Sequence, residues 1–456
     1  MATDLLRCES HGAQTRLTCS ECGVPICTRC LVRTDVGLRC ERCASPGVVG
    51  SRGLPRRRLA LAVGISLAGL LVLLAVMLAT MAPRDSADQR GEGRTPAVGT
   101  WKRARPLLAV RGSTSAIALP EGRVMVVGGG VGSIPIAASE IFEAGSGAWS
   151  GSGRLVHARR GHRAAVLEDG SVLVAGGIAQ GKLLASAELH GRSPAASWAS
   201  TGQLSEPRLG HTLTVLRDGR VLVTGGTGRA GPPSRGSQTV RPIASAEVFD
   251  PRTQRWSAAG QMSVPRFEHT ASLLPDGRVL IAGGLGIRSG ETVPVASAEL
   301  YNPATRTFSR TGEMASARTD HAAATLQDGR ILVSGGDGGT APLASAEIFD
   351  PAREAWSGAA SLARTRRGHS ATPLQDGTVL VTGGESFVGG ARSSLTSAER
   401  FDPSRNVWRS AGDMSCPRSE QGAAILPDGS VLVVGGDAAS PGESPKAQRC
   451  ADRYQP

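Results

Sequence analysis

The sequence predicts an all-β fold assembled from seven like units that close on one another. Three observations carry this reading. Glycine doublets ending at Gly129, Gly177, Gly226, Gly284, Gly336, Gly384 and Gly436 recur every 48 to 58 residues. Before each doublet runs an apolar, β-branched stretch introduced by a tight-turn signal, as in Asp218-Gly219 ahead of residues 220–224. After each doublet come a variable stretch, a Ser-Ala-Glu-like element and an aromatic pair, as in Phe249 and Trp256. A repeat of this length marks units that cannot bury their own apolar face and must stack on neighbours.

The turn signal recurs at Asp169-Gly170, Asp276-Gly277, Asp328-Gly329, Asp376-Gly377 and Asp428-Gly429, with Glu121-Gly122 standing in the first unit. The aromatic pair recurs as Phe142/Trp149, Tyr301/Phe308, Phe349/Trp356 and Phe401/Trp408. Glycine doublet and aromatic pair together resemble kelch repeats over roughly residues 98–456, and the resemblance implies four-stranded blades of a seven-bladed β-propeller. The chain ends on Cys450–Pro456, which aligns with residues 397–403, so the last unit has a third strand and no fourth. An orphan strand at residues 98–103, around Trp101, is expected to complete that last blade and remove an exposed sheet edge.

Two further zones precede the repeats. Residues 1–45 hold Cys8-x2-His11, Cys19-x2-Cys22, Cys27-x2-Cys30 and Cys40-x2-Cys43. Two-residue spacing lets both side chains of a pair reach one tetrahedral zinc, so eight ligands suit two closed structural zinc ions. The pattern resembles the B-box zinc finger. That resemblance implies Cys8, His11, Cys27 and Cys30 on one zinc and Cys19, Cys22, Cys40 and Cys43 on the other. It also implies a protein-docking role, although B-boxes usually end in two histidines where this chain has Cys40 and Cys43. A basic linker at 46–58 leads to residues 59–82, 24 positions without a charge, and a polar linker at 83–97 follows. So long an apolar run predicts a transmembrane helix. Arg52, Arg56, Arg57 and Arg58 before it place the N-terminus in the cytoplasm and the repeats outside.

Charge excludes less than it suggests. The net charge is +12, yet no basic stripe with interleaved aromatics is visible, so no nucleic-acid partner is expected. Arg111, Arg159, Arg208, Arg266, Arg318, Arg366 and Arg418 share one repeat position. Glu140, Glu188, Glu247, Glu299, Glu347, Glu399 and Asp452 share another. Such seven-against-seven repetition reads as a structural Arg–carboxylate bond in every blade, and less well as an anion-capturing ring. His162, His211, His269, His321 and His369, replaced by Thr114 and Gln421 in the end units, read as packing histidines before metal ligands. Cys416 and Cys450 both fall in the last unit, before its first strand and at the start of its third, and are a possible disulfide.

Variation points to binding. After the doublets the loops at 227–244, 285–296, 385–396 and 337–344 differ most, and all emerge on one face. Arg229, Arg235, Arg241, Arg288, Glu291, Phe387 and Arg392 are therefore the candidate ligand-binding residues, with a protein or a glycan as the ligand. No catalytic residue is assigned, and no enzymatic activity is expected. A copper radical oxidase of the galactose oxidase kind needs free tyrosines and a Cys–Tyr link, and this chain has two tyrosines, Tyr301 and Tyr454, both at the blade aromatic position. The expected function is a membrane-anchored scaffold whose zinc head docks one protein and whose propeller binds another partner. The alternative is a transmembrane sensor that couples an external ligand to the zinc head.

Overall fold

The computed structural model describes residues 99–229, 240–288, 290–388, 391–440 and 444–456, together with four short strands near the N-terminus. The chain divides into two compact units, Met1–Arg90 and Gly91–Pro456. In the first unit Leu6–Arg7 pairs with Gln14–Thr15, and Leu31–Thr34 pairs with Gly37–Cys40. Of the zinc candidates only Cys40 falls on a described residue, at the end of its strand; Cys8, His11, Cys19, Cys22, Cys27, Cys30 and Cys43 lie outside the described residues.

The second unit is a ring of seven four-stranded antiparallel sheets. Blade 1 runs Ser115–Leu119, Arg123–Val127, Ala138–Glu143, Ala148–Arg154 from the axis outward. Blade 7 runs Gly422–Ile425, Val431–Val434, Ala451–Gln455 and then Thr100–Arg103, so its outer strand comes from the start of the unit. First strands pack against one another in sequence around the axis, and the first strand of blade 7 packs on that of blade 1. Buried Leu432 and Val434 of blade 7 share one apolar cluster with Val124, Val126 and Phe142 of blade 1, which seals the ring.

Sequence explains each layer. Second strands such as Val221–Thr224 and Val279–Ala282 are buried at every position, because neighbouring blades cover both faces. First strands such as Ala322–Thr325 carry small residues, as the narrow end of a wedge requires. Third and fourth strands set the aromatic pair in direct register, Phe249 opposite Trp256, with ring centroids 5.1 Å apart. The indole N–H of Trp256 then donates to Gly202 O of the preceding blade at 2.9 Å, stitching adjacent blades. Blade 2 has no Phe or Tyr at this position; His190 stands there, 5.0 Å from Trp198, and bonds Ser152 Oγ through Nε2 at 3.0 Å.

The glycine doublet has a steric cause. A Cβ on Gly176 would stand 2.7 Å from Arg208 O and 2.5 Å from His211 Cε1 of the next blade, and its φ is +64°. No other residue fits there without moving the neighbouring blade.

One expectation is corrected. Among the described residues no helix is long and apolar enough to cross a membrane. A span needs about 20 helical residues, whereas the described residues form strands of two to seven residues and one 3-10 turn, Pro120–Gly122. The single-pass topology, with an inner N-terminus and an outer propeller, is therefore not supported, and the transmembrane-sensor alternative loses its premise. Residues 59–82 lie outside the described residues.

Candidate functional site at the propeller axis

The repeated arginines and carboxylates are structural. Arg266 is fully buried; Nη1 donates to Gly283 O at 2.9 Å and Ser297 O at 2.7 Å, and Nη2 to Ser297 Oγ and Glu299 Oε1, both at 3.0 Å. Glu299 in turn accepts Ser263 N at 2.7 Å and Val264 N at 3.2 Å. Each pair thus ties the link entering a blade to the middle of that blade. The same bond recurs from Arg111–Glu140 to Arg418–Asp452. Burial lowers the Arg266 guanidinium from its ordinary value, with the Glu299 charge opposing.

The repeated histidines are also structural. All five are buried and neutral: burial, with nearby arginine charge, holds His162 and His321 down to about 3 and the other three well below the usual range. His269 Nε2 bonds Thr224 Oγ1 at 2.9 Å and His369 Nε2 bonds Ser334 Oγ at 3.0 Å, each on the preceding blade. Gln421 does the same work in blade 7, donating Nε2 to Thr382 O at 2.7 Å. Among the described residues no three His, Cys, Asp or Glu side chains stand close enough together to hold a metal ion.

The variable loops are hairpins. Thr227–Arg229 pairs with Val240–Pro242, Leu285–Arg288 with Glu291–Pro294, and Glu385–Val388 with Ala391–Ser394. Each hairpin base is bridged to the link that enters its own blade, as in Leu209↔Thr227 and Arg367↔Glu385. Hairpins and entering links therefore share one face, and the Asp-Gly turns lie on the other. The structure sets Phe387 opposite Arg392 on one hairpin and Arg288 opposite Glu291 on another, all four exposed. Arg241 is exposed on the blade 3 hairpin, Arg229 ends the partner strand, and Arg235 lies outside the described residues. Blade 5 has only the short closure Asp337↔Pro342, lower than the four-residue hairpins of blades 4 and 6 on either side and of the same span as those of blades 1 and 2.

Two features of this face go beyond the sequence reading, which named Phe387 alone of the residues concerned. The first is apolar. The six exposed large apolar side chains among the described residues are Leu108, Val131, Ile134, Val156, Ile287 and Phe387, at 40% to 67% exposure. All six sit on entering links or hairpins. The second is a collar at the axis. Ser113, Gly161, Gly210, Glu268, Asp320, Gly368 and Glu420 occupy the same position, two residues after the buried arginine, and all have φ between +47° and +68°. Backbone bonds join them across blades: Glu268 N to Gly210 O at 2.7 Å, Gly368 N to Asp320 O at 2.9 Å and Glu420 N to Gly368 O at 2.9 Å. Glycine takes this conformation freely; Glu and Asp pay on the order of 1 kcal/mol. The signal was present in the repeats, as a variable position between invariant arginine and near-invariant histidine.

The collar opens into an axial cavity of about 580 Å³ whose lining includes Arg160, Arg163, Glu268, Asp320, Glu420 and Gln421. Burial pushes the Glu268 carboxyl up to about 8, and the Asp320 and Glu420 charges add to this. Glu268 and Asp320 share a hydrogen bond, and burial raises Asp320 as well. Glu420 is open to solvent through the cavity, yet enclosure by the channel walls pushes it up to about 7. Outside the collar Arg367 bonds Asp337 at 2.7 Å and Glu385 at 3.2 Å.

Both tyrosines are buried inside blades, Tyr301 against Phe308 and Tyr454 against Trp101. Cys416 and Cys450 are bonded to each other, with Cα atoms 6.5 Å apart. Among the described residues neither tyrosine and neither cysteine of the propeller lines the axial cavity.

Residues 210–436 match the KLHDC2/KLHL20/DRC7 Kelch-repeats domain. The chain is 30% identical over 110 residues to spermatocyte protein spe-26 of Caenorhabditis elegans, covering 23% of this chain and 18% of that one. The chain therefore spans under a fifth of that relative's length. Among solved structures, a fungal alcohol oxidase of the AA5 family in complex with copper aligns with a TM-score of 0.62 at 17% identity, over 79% of this chain and 76% of the other. The structure of YjhT aligns with a TM-score of 0.51 at 15% identity, over 64% of this chain and 93% of the other. At these identities the likeness is one of fold. Residues 210–436 are thus similar to a kelch-repeat domain, and the fold is an all-β propeller.

Proposed function

We propose that this kelch-repeat propeller is a protein-binding scaffold that captures its partner on the hairpin face. One observation carries the reading: all six exposed large apolar side chains among the described residues lie on that face. Exposed apolar groups rimmed by charge mark protein interaction surfaces, and here Arg241, Arg288, Glu291 and Arg392 supply the rim. A glycan is the weaker candidate, since sugars stack on flat exposed aromatics. The tryptophans are turned into the blades, with indole N–H groups bonded to backbone carbonyls or, for Trp198, to Ser139 Oγ. The test is partner capture by the full chain with Ile287→Asp and Phe387→Asp, against Asp218→Asn and Asp328→Asn on the opposite face. Loss confined to the hairpin variants supports the reading; equal capture by both sets rejects it.

A second head is proposed at the N-terminus. Cys8, His11, Cys19, Cys22, Cys27, Cys30, Cys40 and Cys43 hold two structural zinc ions and dock a second protein; the paired two-residue spacings support this. Metal analysis of the full chain should give two zinc equivalents. A metal-free chain would reject it.

A further inference from the structure

The acidic collar stands out in a chain of net charge +12. Six carboxyl groups are involved: Glu268, Asp320 and Glu420 line the axial cavity, and the charges of Asp337, Glu385 and Asp437 act on Asp320 or Glu420 from beside it. The cations facing them are Arg160 and Arg163 on blade 2 and Arg367 on blade 6. Two of the six, Asp337 and Glu385, are held by Arg367. Arg163 Nε is committed to His211 O at 3.1 Å. Glu268, Asp320 and Glu420 remain on the cavity wall, and among the described residues none of them forms an ion pair with an arginine. The blades hold equivalent positions with glycine at Gly161, Gly210 and Gly368, so the fold does not require a carboxylate there.

A second feature of the wall is independent of these acids. Gln421 is 8% exposed and lines the same cavity. Its Nε2 is fixed by the Thr382 carbonyl, which settles which end of the amide is the oxygen. Its Oε1 has no hydrogen-bond partner among the described residues. A buried acceptor left without a donor is costly, about 1–3 kcal/mol. Gln421 thus adds an acceptor without a donor to a wall that already carries three carboxyl groups. The carboxylates are also not gathered closely enough for a metal ion, which favours a larger organic cation.

Access is shaped as well. Blade 5 carries no tall hairpin, and the hairpins of blades 4 and 6 on either side present Ile287 and Phe387 to solvent. A chain entering over blade 5 would lay its stem between apolar side chains and its cationic end toward Asp320 and the cavity. Lysine and arginine have this make-up, an apolar stem with a charged head.

We infer that the axial cavity seats a lysine ammonium or arginine guanidinium presented by a segment of the partner protein that enters over blade 5. This rests on the scaffold reading above and names the chemistry of the partner. Burial and mutual repulsion push Glu268 up to about 8 and Glu420 up to about 7, so both are partly protonated near neutral pH. The entering cation displaces those protons, so binding tightens as pH rises. The titrating groups are surrounded by Asp320, Asp437, Arg160, Arg163 and Arg367, while His269, His321 and His369 stay neutral throughout.

The probes are acetylated, amidated Gly-Gly-X-Gly-Gly peptides with X as Lys, Arg, norleucine or Glu, plus free n-butylammonium, measured by ligand-observed NMR on the full chain. Lys and Arg peptides should bind at least tenfold more tightly than norleucine or Glu peptides, and the preference should grow from pH 6 to pH 9. Glu268→Gln/Asp320→Asn/Glu420→Gln should abolish the preference, and Glu268→Gln alone should weaken it. Removing like charges leaves melting temperature unchanged or higher, which checks folding. Equal binding of all peptides, or a preference kept in the triple variant, overturns the inference. Free n-butylammonium binding as tightly as the Lys peptide overturns the peptide-borne source. If hairpin variants lose partner capture while the triple variant keeps it, the cavity inference falls and the scaffold reading stands.

Discussion

Replacing Arg266 with Met tests the claim that the repeated arginines hold the blades together. Arg266 is fully buried and donates to three backbone carbonyls, Gly283, Ser297 and Val264, to Ser297 Oγ and to Glu299. Met fills much of the volume and supplies none of these donors. Glu299, 1% exposed, keeps only the two backbone N–H groups of Ser263 and Val264. Breaking a buried ion pair from one side costs about 3–5 kcal/mol, because the remaining charge is stranded. A unit the size of Gly91–Pro456 unfolds with an entropy of about 2 cal/mol/K per residue, on the order of 0.8 kcal/mol per degree in total. The expected fall in Tm is therefore about 5 °C, read by calorimetry. Arg266→Met/Glu299→Leu removes both charges and should destabilise less than Arg266→Met alone. A shift under about 1 °C, or a double variant less stable than the single, would refute the reasoning.

Three further outcomes follow from the same geometry. The carboxyls of Glu268 and Glu420 are raised above their unfolded values, so the folded protein binds more protons than the unfolded one between about pH 4.5 and 8. Stability contributed by these groups is thus lost as pH rises through that window; urea midpoints should fall from pH 5 to pH 8.5, and Glu268→Gln/Glu420→Gln should flatten the profile. The Cys416–Cys450 bond closes a loop of sequence separation 34, for which chain entropy gives about 3–4 kcal/mol; Cys416→Ser/Cys450→Ser should lower the urea midpoint accordingly, and an unchanged midpoint would show the bond is idle. Trp101 packs 5.1 Å from Tyr454 and donates to Ala411 O at 2.7 Å, so Trp101→Ala should cost about 2–4 kcal/mol by opening the blade that closes the ring; a loss under 1 kcal/mol would mean the outer strand is dispensable.

How much was legible in the chain depends on whether a residue's partner lies within its own repeat. The turn at Asp218-Gly219, the buried run Val221–Thr224 and the pair Phe249/Trp256 interact within about one unit, so their periodicity exposed them. Arg266 and Glu299 were legible for the same reason, as members of a seven-fold set. His190 was not, since imidazole in place of Phe breaks the pattern while keeping the ring contact. Glu268, Asp320 and Glu420 were missed because their neighbours are on other blades, far away in sequence.

The sequence alone determined the number of units, the residues of each strand and the elements that staple a blade, because these are set by local pattern and repeated spacing. Only the tertiary structure decided what meets at the axis. Ring closure turns a variable position of one repeat into one seat of a seven-membered collar, and brings carboxylates from blades 4, 5 and 7 into one cavity. That convergence depends on curvature accumulated over the whole ring, which no single repeat encodes.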